Sequence, residues 1–339
     1  MARRTVMSLL VLLVLALLAA LPAGMAFAGE AKKIIRISNG VNDVHPAVLG
    51  AKKFKEVVES KVGARYEIQV YANAQLGDDV RATESVRAGT LEMVIPSTSP
   101  LTGLSKELMV FDLPFLFPNS QVATKVLYGP VGQRILDSMS SKGLKGLAYW
   151  ENGFRQLSNS VREVKSPADI KGLKIRTMEN PLHLAAWKAL GANPTPMPFS
   201  EVFTAMQQKT IDGQENPVVV IYLQKFNEVQ KYVTLTGHIY TPFLLLMNQK
   251  LWDGMSAEDQ KAFMDGAIAG RDYVLQLNKE MTDTQIKKLR EFGMTVTELT
   301  PQQLKVFQDA VQTVYTQFED RIGKSLVDEI RAEVKKASN

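Results

Sequence analysis

The longest uninterrupted helical pattern in the chain constrains its fold most. Residues 256–292 contain no proline and follow a helical pattern over 37 positions. At a rise of ~1.5 Å per residue, such a helix is roughly 55 Å long. One domain of ordinary size does not need a helix of that length, so we expect this helix to span two parts of the fold.

Residues nearer the N-terminus alternate between strand and helix patterns. The β-branched segment 33–38 predicts a strand, a helix follows it to Gly63, and residues 66–72 predict the next strand. Such β-α-β alternation predicts an α/β fold whose first sheet is mainly parallel with right-handed crossovers. A helix over 120–139 and a strand over 144–150 are predicted to complete the first domain.

Two apolar segments have particular consequences for the organisation of the chain. Residues 108–117 are apolar but interrupted by Pro114, and we interpret them as extended chain lining the core, with an exposed docking patch as the alternative. Residues 239–247 predict a strand long enough to return from a second domain, which begins near Gly153, to the first. A crossing of this kind makes a hinge.

The N-terminal segment is predicted to be a signal peptide. Arg3 and Arg4 precede an apolar run over residues 6–21, and Ala26 and Ala28 are the small residues that a signal peptidase requires. We expect cleavage after Ala28, which makes residues 1–28 the signal peptide and the periplasm the destination. An uncleaved anchor is the alternative, although the run is shorter than the ~20 residues of a spanning helix.

Charge and cysteine content exclude several classes of protein. Loss of Arg3 and Arg4 lowers the basic count from 40 to 38 against 35 acidic residues, so the mature charge is about +3. That charge is too small to indicate nucleic-acid binding. The chain has no cysteine, so disulfides and thiolate metal sites are excluded. We expect no cofactor and no metal.

Four short blocks contain the candidate ligand site. Residues 152–156 read Asn-Gly-Phe-Arg-Gln, residues 172–176 Gly-Leu-Lys-Ile-Arg, residues 194–202 Pro-Thr-Pro-Met-Pro-Phe-Ser-Glu-Val, and residues 212–217 Asp-Gly-Gln-Glu-Asn-Pro. Each block ends a predicted strand or begins a predicted helix, where open α/β sheets bind ligands.

The side chains in these blocks suit an anionic ligand. The guanidiniums of Arg155 and Arg176 match the two oxygens of a carboxylate. Asn216 offers a neutral donor, and Phe199 offers an apolar wall. The alternative for either arginine alone is a strand cap or a surface ion pair.

In this order and spacing, the four blocks closely resemble those of the extracytoplasmic solute receptors of TRAP (tripartite ATP-independent periplasmic) transporters. The resemblance begins near Asn39, includes Ala-Asn-Ala-Gln-Leu-Gly-Asp-Asp at 72–79, and continues into the helical tail. It implies that Arg176 binds the ligand carboxylate and that Arg155 and Asn216 assist it. It also implies delivery of the ligand to TRAP membrane subunits that use an ion gradient instead of ATP.

The resemblance also implies an architecture, a two-lobed fold like that of type II periplasmic binding proteins. We expect two mixed sheets, hinge strands, and a long C-terminal helix that spans both lobes. The expected boundaries are residues 29–152 plus 242–281 for lobe I and residues 153–241 plus 282–334 for lobe II. The mature chain is expected to be a monomer without stable membrane insertion.

Several further residues are candidate ligand contacts at the ends of predicted strands. His45 could equally be a helix-entry residue, and Ser97 could equally be a turn residue before Pro100. Glu215 is predicted to orient an arginine, since a carboxylate facing an anionic ligand would repel it. His183 is predicted to lie on the surface of its helix. The remaining candidate ligand contacts are Asn39, Gln75, Asn152 and Tyr240.

The sequence favours a receptor over an enzyme or a scaffold. It contains three histidines, no His-Glu-x-x-His, no phosphate-binding glycine loop and no Gly-x-Ser-x-Gly elbow. Asp212 and Glu215 could form an acid pair, but a turn carboxylate and an arginine partner are favoured. We expect the ligand to be a sugar acid such as a uronate, with a C4-dicarboxylate or a keto acid as the alternative. Ser97 stands where a sialic-acid receptor would carry glutamate.

Overall fold

The computed structural model describes residues 31–339, so the predicted signal peptide lies outside the described residues. Eleven strands form two sheets in this part of the chain. The strands are β1 Lys33–Asn39, β2 Tyr66–Tyr71, β3 Met93–Ile95, β4 Leu144–Phe154, β5 Gln156–Asn159, β6 Lys174–Thr177, β7 Asn193–Pro196, β8 Gly213–Asn216, β9 Tyr232–Leu235, β10 Tyr240–Asn248 and β11 Thr295–Glu298.

Thirteen α-helices surround the two sheets within residues 31–339. They are α1 Pro46–Val62, α2 Asp79–Ala88, α3 Ser120–Leu127, α4 Pro130–Ser138, α5 Pro167–Ile170, α6 Pro181–Ala189, α7 Val202–Gln207, α8 Val218–Leu223, α9 Gln249–Asp253, α10 Ala257–Phe292, α11 Pro301–Ala310, α12 Gln312–Ile322 and α13 Lys324–Ser338. None of the helices in this described part is both long enough and apolar enough to cross a membrane.

The first sheet has the strand order β2-β1-β3-β10-β4, and we call the part built on it lobe I. Strand β1 pairs in parallel with β2 and β3, as the β-α-β alternation predicts. Strand β10 is antiparallel to both β3 and β4. The sheet is therefore mixed, because β10 enters from the other lobe instead of following a crossover helix.

The second sheet has the order β11-β9-β5-β8-β6-β7, and we call the part built on it lobe II. Strand β6 is parallel to β7 and β8, and β9 is parallel to β11. Strand β5 is antiparallel to β8 and β9. The expected two-lobed fold with mixed sheets is confirmed.

Two neighbouring segments connect the lobes. Arg155 alone separates β4 from β5, and residues 236–239 separate β9 from β10. The backbone N–H of Arg155 donates to the carbonyl of Ile239 at 2.9 Å, so the two segments are joined where they cross. This pair of crossings is the hinge that the apolar segment 239–247 predicts.

The long helix α10 is also confirmed. The Ser256 side chain caps its N-terminus, and Gly293 ends it in the left-handed conformation. The helix packs against α1 and β4 of lobe I and against α8 and β11 of lobe II. It therefore contacts both lobes, as its length requires.

Two local predictions are wrong. The segment predicted as one helix over 120–139 forms α3 and α4, because Gly129 and Pro130 end one helix and begin the next. The segment predicted as extended chain begins with a 3₁₀ helix, Lys106–Asp112, whose apolar residues are buried. Its burial agrees with the core-lining interpretation, but its backbone conformation does not.

Gly270 on α10 permits the closest approach of that helix to lobe I. A Cβ atom at this position would lie 2.6 Å from the Trp150 ring and 2.9 Å from the Gly50 carbonyl oxygen. We predict that Gly270→Ala lowers the free energy of unfolding by about 1–3 kcal/mol, because the rigid ring and backbone cannot move away without cost. Urea denaturation measures this change.

Gly254→Ala is the matched control for that substitution. Its Cβ atom would meet the nearest backbone oxygen at 3.5 Å, an ordinary contact. Equal free energies of unfolding for the two variants would contradict the packing argument.

Candidate functional site

A cleft between the two lobes has an empty volume of roughly 530 Å³, part of which is open to solvent. Lobe I lines it from the loops that follow β1, β2 and β3, and lobe II lines it from the ends of β6 and β8. These are the carboxyl ends of the strands, where the sequence analysis places the site. Five of the predicted ligand contacts line this cleft: Ser97, Asn152, Arg176, Phe199 and Asn216.

Arg176 is the cationic side chain that lines the cleft in the described chain. It belongs to β6 and is buried, and its Nε and Nη2 donate to the Met197 carbonyl at 3.0 and 2.8 Å. Its guanidinium carbon lies 5.9 Å from the centre of the Phe199 ring. These contacts fix the plane of the guanidinium, and Nη1 has no hydrogen-bond partner within residues 31–339. Burial, followed by repulsion from Arg155, lowers the pKa of Arg176 to about 10.

Arg155 does not line the cleft, which corrects the expectation of two arginines offered to the ligand. It is completely buried at the hinge, where Nε and Nη2 donate to the Glu215 carboxylate and Nη2 also donates to the Glu215 carbonyl. Burial opposes the charge of Glu215, but Arg155 and two histidines hold the pKa of that carboxyl well below its ordinary value. Glu215 thus contacts an arginine, as expected; its effect on ligand binding stays a prediction.

Asn152 points into the cleft because of an irregularity in β4. The pairing of β4 with β10 shifts there, since Thr241 pairs with Gly153 and Pro242 pairs with Glu151. Asn152 is the extra residue of this bulge, and Gly153 beside it has a φ of 118°, which favours glycine. The Oδ1 atom of Asn152 is buried without a hydrogen-bond partner in the described chain. It is therefore available to a ligand.

Asn216 lies at the end of β8, opposite Gln156 of β5. Its Nδ2 donates to the Gln214 side chain at 2.5 Å, and Gln214 in turn donates to the Ser158 hydroxyl at 2.8 Å. This chain of hydrogen bonds fixes the orientation of the amide. A fixed amide can discriminate between ligand groups.

Three carboxylates in the cleft wall, Asp78, Asp79 and Glu179, were missed by the sequence analysis. Asp79 begins α2 and accepts a hydrogen bond from the Ser97 backbone N–H at 3.0 Å. Burial, with Ser97 acting in the opposite direction, raises the pKa of Asp79 to about 6. Asp79 belongs to the Gln-Leu-Gly-Asp-Asp block, whose position after a predicted strand could have indicated a cleft residue. It was not predicted as a ligand contact because a carboxylate repels an anionic ligand. Gln75 of the same block, which we expected to bind ligand, is exposed and outside the cleft lining.

Two other expected contacts, Asn39 and Tyr240, lie behind the cleft wall. Asn39 donates to the Ile95 carbonyl and accepts from the Val41 N–H, each at 2.9 Å, so it shapes the loop instead of lining the cleft. Tyr240 packs in the core against Phe117 and Phe154. These residues support the site from outside it.

His45 is a helix cap as well as a neighbour of the cleft. Its Nδ1 accepts from the Ala47 N–H at 3.1 Å, and its ring packs edge-on against Phe243, which lines the cleft. Burial lowers the pKa of His45 to about 3, so the ring is neutral. Of its two sequence interpretations, the structure shows the helix-entry role.

His183 is buried, so its predicted surface position is wrong. Its Nε2 lies 3.1 Å from Asp112 Oδ1, and its Nδ1 lies 3.7 Å from Glu215 Oε1. The sequence analysis placed His183 on the surface because it recognised no buried partner for the imidazole. Here that partner comes from a distant segment of the chain.

Comparison with known proteins identifies the family. A family model described as bacterial extracellular solute-binding protein, family 7, matches residues 37–321. The chain belongs to this family. The expected TRAP receptor class and the expected export are thereby confirmed at the level of the family.

Individual members of the family are similar over most of their length. A solute-binding protein of Verminephrobacter eiseniae is 47% identical over 283 residues, 82% of this chain and 83% of that protein. The 2,3-diketo-L-gulonate-binding periplasmic protein of Escherichia coli is 40% identical over 263 residues, 78% of this chain and 80% of that protein.

A solved structure in the family agrees with the fold described above. The sugar acid binding protein of Advenella mimigardefordensis, in complex with galactonate, superimposes with a TM-score of 0.88 at 38% identity. The superposition covers 90% of this chain and 99% of that chain. The two-lobed fold is therefore that of the family's TRAP solute-binding proteins.

The raised pKa of Asp79 predicts a pH-dependent effect on stability. Because the folded pKa is higher than the unfolded one, burial of the Asp79 anion costs stability as pH rises from about 4 to above 6. We compare the free energy of unfolding of Asp79→Asn with that of the unmodified chain at about pH 4 and at about pH 7.5. We predict that the difference in favour of the variant is about 1–2 kcal/mol larger at the higher pH. Urea denaturation at both pH values measures the gain.

Asp43→Asn is the control, since it removes an exposed carboxylate that does not line the cleft. The difference between this control and the unmodified chain should not grow in the same way. If the Asp79→Asn difference were constant with pH, burial of that anion would not be the cause.

Proposed function

We propose that this member of the family captures a sugar acid in the cleft through Arg176 and delivers it to TRAP membrane subunits. The observation that carries the proposal is the state of Arg176. It is buried and charged, its plane is fixed by the Met197 carbonyl, and its Nη1 is unpaired in the described chain. A carboxylate would provide the missing acceptor and the missing negative charge.

The other polar groups of the cleft support a ligand with hydroxyl groups. Asp78, Asp79 and Glu179 are acceptors, and Asn152 and Asn216 carry amides that can bind hydroxyls. The three carboxylates disfavour the second negative charge of a C4-dicarboxylate. A single carboxylate with several hydroxyls, as in a uronate or an aldonate, fits this wall better. The complex of the Advenella relative with galactonate supports this choice.

The same wall supports binding without turnover. The three histidines of the chain, His45, His183 and His238, are buried and do not line the cleft. Asp79 and Glu179 therefore have no histidine beside them in the cleft as a partner for acid-base work. We propose a receptor that is not an enzyme, needs no cofactor or metal, and acts as a monomer with its membrane subunits as partner.

Closure of the two lobes completes the proposal. Arg176, Phe199 and Asn216 belong to lobe II, whereas Asp79 and Ser97 belong to lobe I. Across the cleft, the Asn42 side chain donates to the Leu223 carbonyl at 2.6 Å, which joins the lobes far from the hinge. A ligand that contacts both walls favours the closed form by its differential affinity.

The first test concerns Arg176. We predict that Arg176→Ala weakens binding of galactonate by about 3 kcal/mol or more, because the carboxylate loses its charged partner after desolvation. Arg176→Lys should recover only part of the affinity, because it lacks the planar fork. Titration calorimetry measures both variants.

Arg162→Ala is the matched control for this test. Arg162 also belongs to lobe II and also donates from Nε and Nη2 to backbone carbonyls, at 2.7 Å each, but it lies outside the cleft. Its loss should leave galactonate affinity unchanged. Equal affinities of Arg176→Ala and the unmodified chain would refute the carboxylate assignment.

The second test concerns closure. We predict that Asn42→Ala weakens galactonate binding by about 0.5–1.5 kcal/mol, because the lost hydrogen bond exists only when the lobes are together. Small-angle scattering should show a smaller radius of gyration with saturating galactonate than without it. Asp43→Ala, an exposed change in the same loop, is the control. An unchanged radius of gyration at saturation would sink the hinge-closure model.

A further inference from the structure

Asp112 lies at the end of the 3₁₀ helix Lys106–Asp112 and is completely buried. Its Oδ1 accepts hydrogen bonds from the Ser99 hydroxyl and lies 3.1 Å from His183 Nε2. Its Oδ2 accepts a hydrogen bond from Asn180 Nδ2 at 2.7 Å. One carboxylate therefore binds three side chains from two segments of the chain, Ser99 in one and both Asn180 and His183 in the other.

Two of these donors belong to opposite walls of the cleft. Ser99 lies between the cleft-lining residues Ser97 and Pro100 of lobe I, and Asn180 directly follows Glu179 of lobe II. The Asn180 Nδ2 also donates to the Ser99 carbonyl at 3.1 Å, so the two walls touch at this point. We propose that Asp112 is a positioning residue for ligand binding, which clasps one wall segment of each lobe beneath the cleft.

The third donor connects this clasp to the hinge. His183 stands between Asp112 and Glu215, and Glu215 holds Arg155 and lies 3.1 Å from His238 Nε2. Helix α12, packed on the same side of α6, contributes apolar Val314 and Phe318 to this core. Burial alone would lower the pKa of His183, but its contacts with Asp112 and Glu215 raise it above its ordinary value. The two carboxylates therefore favour the protonated form of the His183 ring.

The chemistry of Asp112 separates a positioning role from simple packing. The residues before it in the 3₁₀ helix, Met109, Val110 and Phe111, are apolar and buried. An apolar residue at 112 would avoid the cost of burying a charge, and such replacements are often neutral or stabilising. A buried carboxylate instead fixes the direction of its donors. Two of those donors, Ser99 and Asn180, are next to cleft-lining residues in the chain. The Asp112 carboxylate therefore fixes the geometry of the cleft wall.

Two serines of this region provide a matched pair of variants. Ser99 and Ser105 are both buried, and each donates its hydroxyl to a carboxylate, Asp112 for Ser99 and Glu107 for Ser105. Ser99→Ala and Ser105→Ala remove the same atom, but only the first change loosens the clasp. Hydrogen exchange of the ligand-free protein is the readout, because it does not depend on which ligand is bound.

The informative amides are those of Leu101 and Leu182, one in each wall segment. The Leu101 N–H donates to the Thr98 carbonyl at 3.0 Å, and the Leu182 N–H donates to Asn180 Oδ1 at 2.8 Å. In Ser99→Ala both amides should exchange about tenfold faster than in Ser105→Ala. Equal rates in the two variants would overturn the clasp.

A second readout follows the imidazole of His183 by NMR. Asp112→Asn should lower the pKa of His183, because it removes one of the two anions beside the ring, and should leave His45 unchanged. A His183 pKa that does not move in this variant would also overturn the proposal. Both readouts judge the clasp without ligand.

The consequence for binding rests on the proposed function. Galactonate affinity should fall about tenfold in Ser99→Ala and not in Ser105→Ala, since misplaced walls make fewer contacts. If the unmodified chain binds neither galactonate nor succinate, the proposed ligand class fails while the exchange rates still decide the clasp. If it binds and both serine variants bind alike, the positioning role fails and the proposed function stands.

Discussion

The buried pair of Arg155 and Glu215 is the interaction on which the arrangement of the two lobes depends. Arg155 is the single residue between β4 and β5, so its side chain is fixed where the chain leaves lobe I. Two charges without solvent are tolerated only when their remaining hydrogen-bonding groups are satisfied. The Glu215 carbonyl accepts from Arg155 Nη2, and His238 Nε2 lies 3.1 Å from the Glu215 carboxylate, whereas Arg155 Nη1 has no partner in the described chain. The hinge is thus held by electrostatic geometry as well as by the paired strands.

The same pair explains the character of the cleft. Arg155 is neutralised by Glu215, whereas Arg176 has only a backbone carbonyl as hydrogen-bond acceptor. Repulsion from Arg155 lowers the pKa of Arg176 further, after burial. A cation in this state gains more from an arriving carboxylate than a solvated one does, because little water has to be displaced. Arg155 is paired within the protein, and Arg176 is the arginine that we propose for the ligand.

The sequence predicts those parts of the fold that depend on local pattern. The helix α10 follows from its unbroken period and its Ser256 cap, and the return strand β10 follows from its apolar run. Arg176 and Asn216 could be placed in the site because their blocks end strands. His183 could not be placed, because the partner that makes its burial possible, Asp112, is 71 residues away. Arg155 was assigned to the ligand because nothing local shows that it is the arginine that Glu215 binds.

Asp79 shows why the ligand class also needs the structure. From sequence, a carboxylate near an anion site suggests repulsion, yet this one lies in the same cleft as Arg176 and is held by the Ser97 N–H. With its pKa raised to about 6, it is an anion at neutral pH and an acceptor for hydroxyl groups. Under the proposed function, the cleft attracts one carboxylate through Arg176 and disfavours a second near Asp79. Selectivity of this kind comes from the unfavourable contact as much as from the favourable one.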